Sequence, residues 1–145
     1  MLRTSLILLA LTTPALASPD PAVYRLDFEL TTTDGAKITK TMFSLTLPEG
    51  RHGEAMIGDN IALPTGTATA RENIGLRVDA DYAQRGADIL LDVETELKTR
   101  DGSSTLHRLA TKSAALAAPG KSAVIVSIDH DKVRTELTVT PTRLP

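Results

Sequence analysis

The residues best suited to chemistry sit together at Asp129-His130-Asp131. Carboxylates and imidazole are ligands for zinc or manganese. Adjacent residues of an extended strand cannot all face one ion, because alternate side chains diverge. Only a turn gathers them, and further ligands would have to come from elsewhere. Asp129, His130 and Asp131 are therefore either the start of a metal site or a hydrophilic hairpin tip. The first alternative makes the chain a metal-dependent hydrolase. His52 and His107 are the other imidazoles. Any of the three could serve as a general base, yet no Gly-x-Ser-x-Gly elbow or His-Glu-x-x-His pair accompanies them. The sequence assigns no catalytic residue and calls for no cofactor.

Acids also recur at alternate positions, as Asp79 and Asp81 and as Asp92, Glu94 and Glu96. On a strand, i and i+2 lie about 6.6 Å apart. That falls within the roughly 5–9.5 Å separating glycosidase carboxylates. For calcium, such a pair supplies two of about six to eight ligands. Arg77 and Lys98 flank these acids, and the simpler reading is an outward, solubilising face. The glycines at 50, 53 and 58 form no phosphate cradle, since no Lys-Ser/Thr follows them.

Composition narrows the field further. The chain has no cysteine, which removes thiol catalysis, thiolate zinc sites and iron–sulfur ligation together. The net charge is -2, with basic residues scattered singly. Nucleic-acid binders concentrate theirs in a patch or stripe, so nucleic acid is not an expected partner. Tyr24, Phe28, Phe43 and Tyr82 are the only aromatics. Three of them fall in phase with apolar neighbours, which makes them core and leaves no stacking platform for sugars or bases.

The amino-terminal residues carry an address. Met1-Leu2-Arg3 is a short positive start, Leu6 to Leu11 is a compact apolar run, and Ala15-Leu16-Ala17 presents an A-x-A exit. This is the grammar of a cleaved secretory signal. The run is too short for a membrane span, which needs roughly 20 apolar residues. The expected organisation is a signal peptide over 1–17 and one domain over 18–145, periplasmic or secreted, with no transmembrane span in the mature chain.

The elements that must position any site read as strands. Tyr24, Leu26, Phe28 and Leu30 alternate with Arg25, Asp27 and Glu29, the period of a half-buried strand. Asp34-Gly35 is a hairpin turn. A second strand covers about Lys37 to Leu47, with Ile38 and Met42 out of phase unless a bulge near Thr41 intervenes. A short strand over Glu54 to Ile57 is expected next, with a turn at Gly58-Asp59-Asn60, a continuation at Ile61 to Leu63 and a loop over Pro64 to Thr69. Ile74 to Tyr82 and Ile89 to Leu97 alternate on either side of Gln84-Arg85-Gly86 and make a hairpin. Thr105 to Ala118 could be a short helix on its leucine and alanine spacing, but the surrounding rhythm favours a strand and a loop. Val124, Val126 and Ile128 form the next strand, with Ile125 on its other face. Val133 to Val139 forms the last. The whole predicts an all-β fold: an antiparallel sandwich, or a partly open barrel, of seven to eight strands.

Three stretches carry a family resemblance. They are Ile74-Gly75-Leu76-Arg77-Val78, then Ile89 to Leu97, then Pro119-Gly120-Lys121-Ser122-Ala123-Val124-Ile125-Val126. A glycine-interrupted strand, a long alternating strand and a glycine-led strand in that order resemble bacterial secretin-type β-domains over Ile74 to Ile128. Secretins are far longer and carry periplasmic modules and a membrane-lining segment. The resemblance therefore implies neither a pore nor any site residue. It implies an exported antiparallel β-domain that engages envelope proteins. The expected function is a protein-binding or structural module of the envelope, without catalysis, whose partner is another envelope or extracellular protein. The terminal strands, Tyr24 to Thr33 and Val133 to Thr140, are the expected free edges for such a partner.

Overall fold

A computed structural model of the chain describes residues 21–65, 68–100, 106–130 and 132–145, without the side chains of 62–65, 68–70 and His130. The leader over 1–17 lies outside the described residues, as does Asp131. Eight strands follow one another: β1 (Val23–Asp34), β2 (Lys37–Pro48), β3 (Gly53–Thr65), β4 (Ala68–Arg85), β5 (Asp88–Arg100), β6 (Leu106–Ala117), β7 (Ala123–His130) and β8 (Val133–Arg143). They form two four-stranded antiparallel sheets, ordered β2-β1-β8-β7 and β3-β4-β5-β6. Hydrogen bonding is interrupted between β2 and β3 and between β6 and β7. The result is an up-and-down meander opened at two seams, a sandwich and not a closed barrel.

The alternation seen in sequence becomes the core. Tyr24, Leu26 and Phe28 of β1 and Leu137 and Val139 of β8 face Leu76, Val78, Ala80 and Tyr82 of β4 and Ile89, Leu91 and Val93 of β5. Burial of each valine, leucine, isoleucine or phenylalanine among them contributes about 1.5–3 kcal/mol. All four aromatics join it. The rings of Tyr24 and Tyr82 meet edge to face at 5.2 Å, one from each sheet, and Phe28 stacks on Phe43 at 5.0 Å. Gly53 gives Leu47 its room, since a Cβ there would meet Leu47 Cδ2 at 2.3 Å and that side chain would have to shift.

Several sequence expectations are corrected. β1 and β8 are central, each paired on both sides, so the free edges are β2 and β7 in one sheet and β3 and β6 in the other. Chain termini need not be sheet edges, because β8 returns to lie beside β1. The β1–β2 register is regular throughout, without a bulge at Thr41. Ile38 and Met42 point outward and stay exposed. Gly58-Asp59-Asn60 does not turn, since β3 continues straight through it. Gly58 instead lies opposite Gly75 of β4, both with positive φ (151° and 136°). A Cβ on Gly58 would meet the Ile74 carbonyl oxygen at 1.9 Å, and one on Gly75 the Ile57 oxygen at 2.1 Å. The paired glycines allow a backbone approach that no side chain permits. The bulge sits instead in β7, between Val124 and Val126. It buries the consecutive Ile125 and Val126 and turns Val124 out to solvent. Residues 106–117 are strand, as the surrounding rhythm favoured.

Candidate functional site

The outward face of β3 to β6 gathers charge from four strands, and the register shows how. Asp79 pairs across to Glu94, Arg77 to Glu96 and Asp81 to Asp92, while Glu94 pairs to Lys112 of β6. Glu54 of β3 lies opposite Asp79. His52, in the connection from β2, places Nε2 3.2 Å from Asp79 Oδ1. All of these residues but Glu54 line a groove of about 660 Å³. Sequence read the acids as i, i+2 pairs along single strands. The structure joins them across strands instead, with partners more than ten residues distant in the chain.

Most of the charge is internally matched. Arg77 Nε lies 3.1 Å from Glu54 Oε1 and 3.0 Å from Asp79 Oδ2. That nitrogen is closed off from solvent without an aligned hydrogen bond, so its attraction to the two acids is charge proximity; Nη2 makes the bond, donating to Asp79 Oδ1 at 3.1 Å. Asp79, then Glu54, holds the guanidinium above its ordinary pKa. Lys112 donates to Glu94 at 2.6 Å and Arg108 to Glu96 at 2.6 Å. Those hydrogen bonds hold both glutamates below the ordinary carboxylate range. Lys98 bridges Glu72 at 2.5 Å and Glu96 at 3.2 Å.

Asp81 and Asp92 stand beside this network, where their charge, after that of Glu94, helps hold the Lys112 ammonium above its ordinary pKa. They sit directly opposite each other, both exposed, and neither makes an ion pair among the described residues. Ala114 is the β6 residue beside Asp92. The next row toward the β4–β5 turn is apolar: Ala83, Leu90 and Leu116, with Leu116 60% exposed. Arg108 and Lys112 were missed as site residues because the 105–118 segment was ambiguous between strand and helix. Leu90 had a signal, being an apolar residue out of phase between Ile89 and Leu91.

The other candidates lie away from this groove. Asp129 is exposed on β7 opposite Arg134, and His130 ends that strand opposite Val133. Among the described residues, no three His, Asp or Glu side chains are placed to hold a metal ion. His107 lies on β6 opposite Thr99, exposed and remote in register from His52. The described residues contain no helix long and apolar enough to cross a membrane.

Neither a protein-family model nor a curated protein matches the sequence. Solved structures match the fold. The Klebsiella pneumoniae type II secretion system outer membrane complex of PulD, PulS and the PulC HR domain superposes with a TM-score of 0.60 at 11% identity, covering 88% of this chain and 41% of that one. The type II secretin GspD of enteropathogenic Escherichia coli gives 0.61 at 10% identity, covering 86% and 66%. The pilotin–secretin complex AspS–GspD of enterotoxigenic E. coli gives 0.60 at 10% identity, covering 85% and 47%. This chain thus spans less than two thirds of each of those chains. The likeness is one of fold, and it extends well beyond Ile74 to Ile128 into both sheets.

Proposed function

We propose that this chain is an exported protein-binding module of the bacterial envelope. The observation that carries the reading is the two-sheet fold shared with secretin domains. Two of those relatives were solved in complexes with further proteins, PulS and PulC in one and a pilotin in the other. The leader, with its A-x-A exit at Ala15-Leu16-Ala17, supports export. The outward faces support an aqueous setting for the domain. Arg25, Asp27, Glu29 and Lys40 stand on one sheet, and Arg77, Glu94, Glu96 and Lys112 on the other. Cationic side chains on a lipid-facing barrel wall cost about 2–4 kcal/mol each at the bilayer midplane.

Expression of the full chain in a Gram-negative host tests the reading. The purified protein is expected in the periplasmic fraction with Ser18 as its first residue. Cross-linking in intact cells is expected to recover a defined envelope protein. A cytoplasmic protein that retains Met1 overturns it. So does stoichiometric zinc, manganese or calcium that is lost on His130→Ala, which instead supports the metal-dependent hydrolase.

A further inference from the structure

This fold sorts its oxidisable side chains. The chain has no cysteine and no tryptophan, and Tyr24 and Tyr82 are each 1% exposed in the core. Beyond the leader, its sulfur is confined to Met42 and Met56. They stand on the outward faces of the edge strands β2 and β3, 73% and 48% exposed. The buried core holds no sulfur, so an oxygen atom added to either thioether leaves the packing untouched.

The neighbours of the two methionines differ. Met42 lies opposite Glu29, whose carboxylate accepts from Lys40 and Thr31. Met56 lies opposite Arg77. Directly opposed Cβ atoms are about 4.5–5.5 Å apart, which puts the guanidinium within the span of the flexible thioether chain. Arg77 Nε is closed off from solvent, and neither Glu54 Oε1 at 3.1 Å nor Asp79 Oδ2 at 3.0 Å is aligned to accept from it. Glu96, on the other flank of Arg77, is engaged by Arg108 and Lys98. A shielded donor without an aligned acceptor is costly. A thioether answers it only weakly, whereas a sulfoxide is polar and chiral.

We propose that Met56 is a reversible oxidation site whose sulfoxide is held by Arg77. The oxidant is a peroxide. Its O–O bond breaks, one oxygen atom passes to the Met56 sulfur, the sulfur gives up two electrons, and from hydrogen peroxide the remaining product is water. The new oxygen accepts from the Arg77 Nε–H. Because the guanidinium lies to one side of the sulfur, one sulfoxide epimer is favoured. Met42 faces no unanswered donor and has no such preference. Methionine sulfoxide reductases, one enzyme per epimer, return the thioether. This chemistry is independent of the protein-binding reading.

The test treats the whole isotope-labelled chain with dilute hydrogen peroxide. Peptide mass spectrometry is expected to find one added oxygen at Met42 and one at Met56. Met42→Leu isolates Met56. In its oxidised form the Arg77 Nε–H resonance is expected to move downfield and to exchange with solvent about tenfold more slowly. One of the two reductase classes is expected to clear most of the Met56 sulfoxide. The Met42 sulfoxide in Met56→Leu is expected to yield about equally to both. The thermal midpoint is expected to hold or rise when Met56 is oxidised. Arg77→Lys removes Nε and is expected to abolish the epimer preference. That variant also disturbs the pairs with Glu54 and Asp79, and the resonance measurement on oxidised Met42→Leu decides the matter should it fold poorly. An unmoved Arg77 resonance, equal epimers at Met56, a preference that persists in Arg77→Lys, or a midpoint that falls on Met56 oxidation overturns the inference.

Discussion

The two ends of this sandwich are built by different physics. At the end holding the β4–β5 turn, both sheet crossings and the described termini, β1, β2, β5, β6 and β8 are at their most buried. Tyr82 donates to the carbonyl oxygens of Ala22 and Leu47, and Glu49 accepts from the Gln84 amide. At the other end the hairpins β1–β2, β3–β4, β5–β6 and β7–β8 run on past the core. There Lys37 to Lys40 and Leu106 to Ala110 are exposed. Backbone ladders and cross-strand charge pairs hold these arms, with little burial to help them. The lesson is that strand length and core size are separate quantities. A ladder continues wherever the register does, but apolar burial needs a facing sheet.

Substitutions can break that contrast. The largest effect belongs to the packed end. Leu91 is 0% exposed, and Leu91→Ala is expected to cost about 3–4 kcal/mol in urea denaturation. Leu106→Ala on the hairpin end is expected to change stability by less than about 0.5 kcal/mol. Equal costs at the two sites would erase the distinction. One position in the hairpin half is expected to be sensitive. Gly75→Ala places a Cβ against the Ile57 carbonyl in a left-handed backbone, and a loss of about 2–3 kcal/mol is expected from strain. A neutral result would mean that the glycine pair does not hold its close approach in solution.

Smaller effects sharpen the comparison. Tyr82→Phe removes a hydroxyl bonded to two carbonyls at the packed end, with an expected loss of about 1–1.5 kcal/mol. Burial, then Glu49, raises the pKa of that phenol. It should therefore resist titration until well into alkali in ultraviolet absorbance. Acid acts on the hairpin half. Glu94 and Glu96 have pKa values lowered in the folded state, chiefly by hydrogen bonds from Lys112 and Arg108. A lowered folded value contributes stability that is present above the unfolded pKa and lost as pH falls through the folded one. A slight drop in the denaturation midpoint is expected below about pH 4.3. Lys112→Ala should flatten it, and salt should diminish it, because these pairs are exposed.

Much of this was legible in the residues. The alternation through Tyr24 to Leu30, Ile74 to Tyr82 and Ile89 to Leu97 placed the right side chains inside, because period two assigns faces without reference to any partner strand. The hairpins at Gly35 and Gly86 were legible for a similar local reason. Gly58 misled, whereas Gly75 was legible as part of a strand. Alone, Gly58 resembles a turn residue, and the purpose it shares with Gly75 exists only once β3 lies against β4. In the Asp129-His130-Asp131 cluster, strand pairing sets Asp129 opposite Arg134 and His130 opposite Val133, while Asp131 lies outside the described residues.

The sequence by itself determined the all-β class and the inward face of most strands, and it carries residues in the order of an export leader. Those properties depend on local chemistry: turn residues, alternation, and the n-region, h-region and A-x-A order. Only the tertiary structure decided that β8 returns to β1, that the edges are β2, β7, β3 and β6, and that Asp81 meets Asp92. Register and sheet order arise from pairings between residues far apart in the chain. A charge reads as solubilising until the strand opposite shows whether it has been answered.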